Sequence, residues 1–498
     1  MANRKATGTD RGGRTAIPRR DFLTLLGAGA AGLVLGCQPS TRATPASGAA
    51  PLAGVGSALP VAAGRRPNII VIVADDLGYA DVGFHGCRDI PTPNIDSLAR
   101  GGTRFTSGYV SCPVCSPTRA GIMTGRYQQR FGHEFNPGPQ MNGGLSEEFG
   151  LSLDEATLPQ LLKAAGYATG MVGKWHLGAG PKHHPLQRGF QEYFGFLGGA
   201  HPYLNLRPDG ARSVFRGTEP VDEKEYLTDA FAREAVAFID RHRQASFFLY
   251  LTFNAVHTPL QAIAKYLERF PKIEDVRRRT YAAMLSAMDD AIGAVTAKVR
   301  EAGLDEDTLL FFFSDNGGPP LANASRNDPL RGAKGTTFEG GIRVPFVIQW
   351  KGRVPAGKVY GQPVISLDVL PTSLAAAGAK PPEGRLIDGV DLLPYLAGGK
   401  KGTPHETLYW RFGKQKAIRR GNLKLHVNGE AQELYDLVTD IGESKNLAAS
   451  EPVRLKELQD ALAKWESELA EPRWGQPARG AANPQRPRAR RAAGGAKP

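Results

Sequence analysis

Hydrophobic residues in this chain gather in short, near-continuous runs, and between them lie longer stretches where they recur every three or four positions. "PNIIVIVADD" (67–76) has unbroken apolar positions from Ile69 to Ala74, the pattern of a strand buried on both faces of a parallel sheet. "SFFLYLTFNAVH" (246–257), "TLLFFFSDNGG" (308–318) and "VPFVIQW" (344–350) share that texture, and another strand runs through Met171 and Val172. The intervening stretches predict helices. "PNIDSLARGG" (93–102) reads as a short one closed by glycine, and "TLPQLLKAAG" (157–166) as one ending at Gly166. "DAFAREAVAFIDRH" (229–242) is amphipathic, and "YAAMLSAMDDAIGAVTAKVREAG" (281–303) is long. Strand and helix alternate over about 67–375, which predicts an α/β fold with a large, mostly parallel, doubly wound sheet. After Pro381 the runs shorten. "TLYWRFGKQKAIRRGNLKLHV" (407–427) and "QELYDLV" (432–438) predict a small antiparallel sheet, and "EPVRLKELQDALAKWESELA" (451–470) a closing helix.

Charge changes the picture only at the ends. The net charge of +13 suggests nucleic acid until it is located. Residues 1–66 hold nine Lys/Arg against Asp10 and Asp21, residues 472–498 hold seven and no acid, and 67–471 is left at −1. A nucleic-acid-binding face is excluded on that distribution. The N-terminal basicity has its own explanation. Arg19 and Arg20 precede an apolar run, Phe22 to Leu35, that is too short and too rich in Gly and Ala to span a membrane. The arrangement resembles a twin-arginine export signal. "VLGC" resembles a bacterial lipobox with Cys37 as the lipidated residue; a plain signal peptide is the alternative. Residues 1–37 are thus read as signal, 38–66 as a Pro/Ala/Gly/Ser-rich tether, and 472–498 as a basic, disordered tail. The expected location is outside the cytoplasm, periplasmic or at the cell surface, with the membrane engaged through a lipid anchor alone.

Polar residues collect where the predicted strands end. Asp75 and Asp76 follow one strand, Asp315 and Asn316 another, Lys174 and His176 a third, and His257 a fourth. Ligand crevices of open α/β sheets lie at the carboxyl ends of the strands, so these residues are expected to converge there. Three carboxylates and an amide form a hard-oxygen set that favours Ca2+ or, as second choice, Mg2+. Adjacent Asp75 and Asp76 would repel each other in a crevice unless a cation neutralised them. Arg119, Lys174, Lys334 and the histidines imply an anionic substrate group.

"CPVCSPTR" (112–119) admits three readings: a redox pair, half of a metal site, or a cysteine made to be altered. The redox reading lacks the small βαβ surroundings such a pair needs, and a zinc site lacks a second pair among four cysteines. Ser116 as N-cap and Pro117 at the first position predict a helix start, with Cys115 just outside a helix N-terminus and Arg119 within a turn.

Cys-Ser-Pro-Thr-Arg followed by "AGIMTGR" resembles the sulfatase signature, in which the cysteine is converted to formylglycine. "VADDLG", "GKWHLG", "VHTP", "SDNGG", "LRGAKGTTFEGGIRVP" and "ELYDLVTDIGESKNLA" resemble further landmarks of that family in order, over about 67–465. Ile441 and Gly442 depart from the commoner pattern of the last, and Thr118 stands where Ser is more frequent. The resemblance implies an alkaline-phosphatase-like α/β/α sandwich, with a catalytic domain over 67–380 and a small C-terminal antiparallel-sheet subdomain over 381–471. It implies that Asp75, Asp76, Asp315, Asn316 and modified residue 115 hold Ca2+. Lys174, His176, His257 and Lys334 would surround the sulfate, and Arg119 would hold the formylglycine. A hydroxyl of the hydrated aldehyde would attack sulfur, with His257 as acid for the departing alcohol and His176 as base for the second hydroxyl. A formylglycine-generating maturation enzyme is implied as partner. The expected substrate is a sulfated carbohydrate or an aryl sulfate, and the exported location favours sulfated glycans. Two loops, "GHEFNPG" (132–138) and "FLGGAHPYL" (196–204), supply His133, His201 and Tyr203 as candidate substrate contacts. The rival readings are a phosphonate or phosphate ester hydrolase on the same scaffold and a non-catalytic lipoprotein that binds sulfated glycans.

Overall fold

The computed structural model describes residues 65–137, 149–210 and 213–475. Cys37, the signal 1–37, nearly all of the tether 38–66 and most of the tail 472–498 lie outside the described residues.

The apolar runs become the strands that hold the molecule together. Along the first part of the chain these are β1 (Asn68–Ala74), β2 (Thr103–Phe105), β3 (Gly108–Tyr109), β4 (Ala168–Lys174), β5 (Glu192–Phe196), β6 (Val214–Arg216) and β7 (Glu219–Val221). They are followed by β8 (Phe247–Thr252), β9 (Thr308–Ser314), β10 (Phe346–Gln349), β11 (Lys358–Tyr360) and β12 (Val364–Ile365). One sheet runs β11-β2-β10-β9-β1-β8-β4-β5-β6-β7, and β3 pairs separately with β12. Its centre, β9-β1-β8-β4-β5, is parallel throughout. β10 lies antiparallel to both β9 and β2, and β6 and β7 extend the other edge as an antiparallel hairpin.

β1 sits in the middle because it can. Ile69 through Val73 are wholly buried, and alternate side chains serve opposite layers. Ile70, Ile72, Leu249, Leu251 and Phe312 face the helices Leu227–His242 and Val276–Glu301. Ile69, Val71, Phe248, Tyr250 and Phe311 face the helices Cys115–Thr124, Leu158–Ala164 and Val369–Ala377. The result is the expected α/β/α sandwich.

The strands β13 (Thr407–Phe412), β14 (Gln415–Arg420), β15 (Leu423–Asn428) and β16 (Ala431–Asp436) form a second sheet, antiparallel in sequence order. The helix Pro452–Glu466 closes it, with Leu458, Leu462 and Trp465 packed against Leu408, Trp410, Ile418 and Leu425. No described helix is long and apolar enough to cross a membrane.

Candidate active site

Four adjacent strands, in the order β9-β1-β8-β4, deliver the site at their carboxyl ends. Asp75 and Asp76 leave β1, Asp315 and Asn316 leave β9, Lys174 closes β4 with His176 just beyond, and His257 follows β8. Two of these residues adopt left-handed backbone, Asp76 at φ 61° and His176 at φ 59°. Such conformations are uncommon outside glycine and cluster at functional sites.

The two neighbouring carboxylates are held by opposite charges. Lys174 Nζ donates to Asp75 Oδ2 at 2.5 Å, and Lys334 Nζ lies 2.6 Å from Asp76 Oδ1. Arg119 donates through Nε and Nη2 to Asp315 Oδ2 at 3.0 and 2.8 Å and through Nη1 to the Lys174 carbonyl at 2.8 Å. Burial pushes the Asp75 carboxyl up, but Lys174 and His257 overcome it and the net shift is downward. Asp76 follows the same logic, with Lys334 as the main opposing charge. Lys334 loses some basicity to burial and regains more from Asp76, so it stays firmly cationic.

Cys115 Sγ stands 3.4 Å from Asp75 Oδ1 at the start of the helix Cys115–Thr124. Burial and then the Asp315 and Asp75 carboxylates push its thiol up to about 12. The two histidines are the reverse case. Burial, then Lys174 and Arg119, lower His176 well below 6.5, and burial with Lys334 lowers His257. Both rings are therefore neutral near pH 7. His257 Nδ1 lies 2.6 Å from the Thr258 carbonyl, which can only accept, so Nδ1 carries the proton and Nε2 a lone pair facing Asp76 Oδ2 at 3.6 Å.

Ligand-type atoms of Asp75, Asp76, Cys115 and His257 lie within 4.8 Å of one another. Asn316 donates its Nδ2 to Asp76 Oδ1 at 2.7 Å, while its buried Oδ1 has no hydrogen-bond partner among the described residues. An orphaned amide oxygen beside two carboxylates is an unmet demand for a hard cation, so the donor set fits Ca2+ or Mg2+. Asp315 leans toward Arg119 but joins the group through its Oδ1, which accepts from the Asp76 N–H at 3.4 Å.

The three candidate substrate contacts have different surroundings from those expected. His133 is fully buried, lies 2.7 Å from Ser116 Oγ through Nε2, and packs edge-on against Trp474. Tyr203 is also fully buried; its hydroxyl donates to the carbonyls of Asn254 and His257, bracing the turn that carries His257. His201 is nearly buried, tilted against Phe196, with Nδ1 on the Pro202 carbonyl at 2.7 Å. Aromatic and histidine residues in a loop look alike in sequence whether they face a ligand or a hydrophobic layer.

Ser116 also departs from expectation. The helix begins at Cys115 with Val114 as cap residue, and Ser116 caps nothing. Its hydroxyl donates to the His176 carbonyl at 2.6 Å instead, tying the residue-115 turn to the end of β4. Only the pattern Cys-Ser-Pro signalled its importance, and for a different reason.

A family model described as Sulfatase matches residues 67–379, and one described as N-sulphoglucosamine sulphohydrolase, C-terminal, matches residues 333–471. The chain belongs to the sulfatase family. This sulfatase is 37% identical to N-acetylgalactosamine-6-sulfatase of Canis lupus familiaris over 398 residues, 75% of this chain and 73% of that protein. It is 35% identical to human arylsulfatase A over 444 residues, covering 80% and 82% of the two chains. Among solved structures, Ps i-CgsB in complex with k-i-k-neocarrahexaose aligns with a TM-score of 0.78 at 40% identity, over 82% of this chain and 95% of that one. The PsFucS1 sulfatase from Pseudoalteromonas sp. aligns at 0.68 and 26% identity, over 81% and 90%. The sulfatase is accordingly a sulfuric ester hydrolase of alkaline-phosphatase-like fold.

Proposed function

We propose that this sulfatase removes sulfate from sulfated glycans, using residue 115 as formylglycine and a Ca2+ ion held by Asp75, Asp76, Asp315, Asn316 and residue 115. The observation that carries the reading is the Cys115 position, 3.4 Å from Asp75 and within the compact ligand group. A thiol pushed up to about 12 is protonated at neutral pH and makes a poor nucleophile, which favours a cysteine meant for conversion. The glycan assignment draws on the relatives, of which one is an N-acetylgalactosamine-6-sulfatase and another was solved with a neocarrahexaose.

A hydrated formylglycine supplies an oxygen nucleophile and a second hydroxyl through which sulfate can be expelled, and the cation supplies charge neutralisation for the sulfuryl oxygens. The remaining work falls to side chains already placed. Arg119, on the same helix as residue 115, keeps that residue and Asp315 in register by donating twice to Asp315 Oδ2. Lys174 and Lys334, both cationic donors at the carboxylate pair, can turn toward sulfate oxygens as these enter. His176, neutral and with Nδ1 lacking a partner among the described residues, is suited to accept a proton. His257 presents Nε2 toward Asp76; as acid for the leaving alcohol it must first take up a proton there.

We further take residues 67–380 as the catalytic domain and 381–471 as a supporting subdomain. The export signal, a lipid on Cys37, a periplasmic or cell-surface location and a formylglycine-generating partner belong to the same proposal; they rest on the sequence. The test is paired hydrolysis of 4-nitrophenyl sulfate and 4-nitrophenyl phosphate, followed by sulfate release from sulfated oligosaccharides. The proposal expects the sulfate ester to turn over faster, with activity lost to a chelator and restored by Ca2+. Preference for the phosphate ester would favour the phosphohydrolase reading, and turnover of neither would favour the glycan binder.

A further inference from the structure

Lys334 reaches the site from a loop whose own bonds join Ala333 and Thr336: the Ala333 N–H donates to Thr336 Oγ1 at 3.1 Å, and the Thr336 N–H to the Ala333 carbonyl at 3.0 Å. The lysine lies between glycines Gly332 and Gly335, both in left-handed backbone at φ 86° and 83°. Such a segment has many conformations open to it, so something outside must hold it for Nζ to stay at Asp76. The Lys334 N–H itself donates at 3.4 Å, to the Gly318 carbonyl, and Asn327 Nδ2 at 3.4 Å to the Gly332 carbonyl; two shorter contacts hold Gly335, next to the lysine. The Gly335 N–H donates to the Pro113 carbonyl at 2.9 Å, tying the loop to the segment that leads into Cys115. On the other side stands Gln415, the first residue of β14. Its Nε2 donates to the Gly335 carbonyl at 3.0 Å, and its Oε1 accepts from the Thr337 N–H at 3.3 Å. One side-chain amide thus satisfies a carbonyl and an N–H two residues apart, the pairing a neighbouring strand would provide.

The base of this clamp is firm. Phe412 and Gln415 face each other across the two-residue turn between β13 and β14. Phe412 packs with Cys112, Val114, Phe135 and Trp474, so it buttresses the residues that precede Cys115. The Gly413 N–H donates to Glu134 Oε1 at 2.8 Å, and Arg411 Nε to Glu134 Oε2 at 2.9 Å, beside the His133 that backs Ser116. The tip of the second sheet therefore touches both the residue-115 segment and the Lys334 loop.

We propose that Gln415 is a positioning residue for sulfate-ester hydrolysis, acting through the Gly335 carbonyl and the Thr337 N–H to fix Lys334 over the site. The inference rests on the proposed role of Lys334 at the sulfate. It gives the second sheet, remote in sequence, a part in a site otherwise built around the first. Gln415→Ala removes both bonds. Gln415→Glu keeps the acceptor for Thr337 but turns a carboxylate on the Gly335 carbonyl.

A double-mutant cycle with Lys334→Ala separates positioning from general damage, read as kcat/KM on 4-nitrophenyl sulfate with thermal midpoints measured in parallel. Gln415→Ala should lower kcat/KM about tenfold in the otherwise native protein, in proportion to a small displacement of a charged group. In the Lys334→Ala background the same change should cost less than about twofold, because the group being positioned is gone. Gln415→Glu should behave like Gln415→Ala. An equal loss in both backgrounds, or no loss in the native one, overturns the inference while leaving the proposed function intact. Full activity of Lys334→Ala alone overturns both the role of Lys334 and the inference that depends on it.

Discussion

His257 shows how much one side chain's surroundings decide. Its Nδ1 proton is committed to the Thr258 carbonyl, and burial with the Lys334 charge depresses its affinity for a second proton. A group with a lowered value is protonated only below it, so acid assistance by His257 belongs to pH values under 6.5 and fades as pH rises. Turnover of an alkyl sulfate, whose leaving group needs a proton, should climb as pH falls through that range. The climb should vanish in His257→Asn, and 4-nitrophenyl sulfate, with its good leaving group, should lose less. A rate–pH profile on both substrates checks this; an unchanged acid-side climb in the variant would remove His257 from that role. At this scale the sequence was informative where chemistry is strict. Two adjacent carboxylates after one strand and Asp-Asn after another had few bland explanations together. His133 and Tyr203 were less legible, since no periodic pattern links them to their partners, Ser116 17 residues before His133 and the Asn254 and His257 carbonyls 51 and 54 residues after Tyr203.

Elements position these groups through close approaches that tolerate little. β4 and β8 pack so tightly at Gly173 that an added Cβ would lie 1.8 Å from the Thr252 carbonyl oxygen, and Gly173 itself has φ 115°. Gly173→Ala should therefore cost on the order of 3 kcal/mol from clash and backbone strain together. It should also displace Lys174, the next residue, from Asp75. Chemical denaturation and activity of the same preparation check both effects; a variant as stable and active as the native protein would contradict the packing described. The long parallel strands were readable because burial on both faces leaves unbroken apolar runs. The short strands β2, β3, β6, β7, β11 and β12 left no such trace, as two or three residues cannot show a period. "VPFVIQW" announced a strand, but its antiparallel pairing with β9 depends on where the chain returns rather than on its composition.

At the scale of the whole molecule, a buried polar cluster ties the ten-stranded sheet's layer to the four-stranded sheet. Lys424 on β15 lies 2.8 Å from both Glu339 and Glu443, and Tyr109 donates to Glu339 Oε2 at 2.6 Å, with Arg343 alongside at 3.1 Å. Burial raises Glu339, yet Lys424, Arg343 and Arg419 bring it down to about 2 from 4.5. A carboxyl with a depressed value stabilises the fold above 4.5, and that contribution is lost as pH falls toward 2. Glu339→Gln should thus lower the thermal midpoint most near neutral pH, with the gap to the native protein closing as the solution is acidified. A gap independent of pH would contradict the ion pairing. Little of this joint was legible in the sequence, because Glu339 and Lys424 lie 85 residues apart and Tyr109 and Arg419 310 apart, and only the fold brings them together. All of these features serve one claim, that Cys115 is a precursor and not the working residue. A mass spectrum of the tryptic peptide 105–119, from protein purified from its own host, tests it most directly. Formylglycine at 115 gives a peptide lighter by the exchange of CH2SH for CHO and reactive toward hydrazides. A peptide of full mass, with Cys115 as thiol or disulfide in an active preparation, would contradict it.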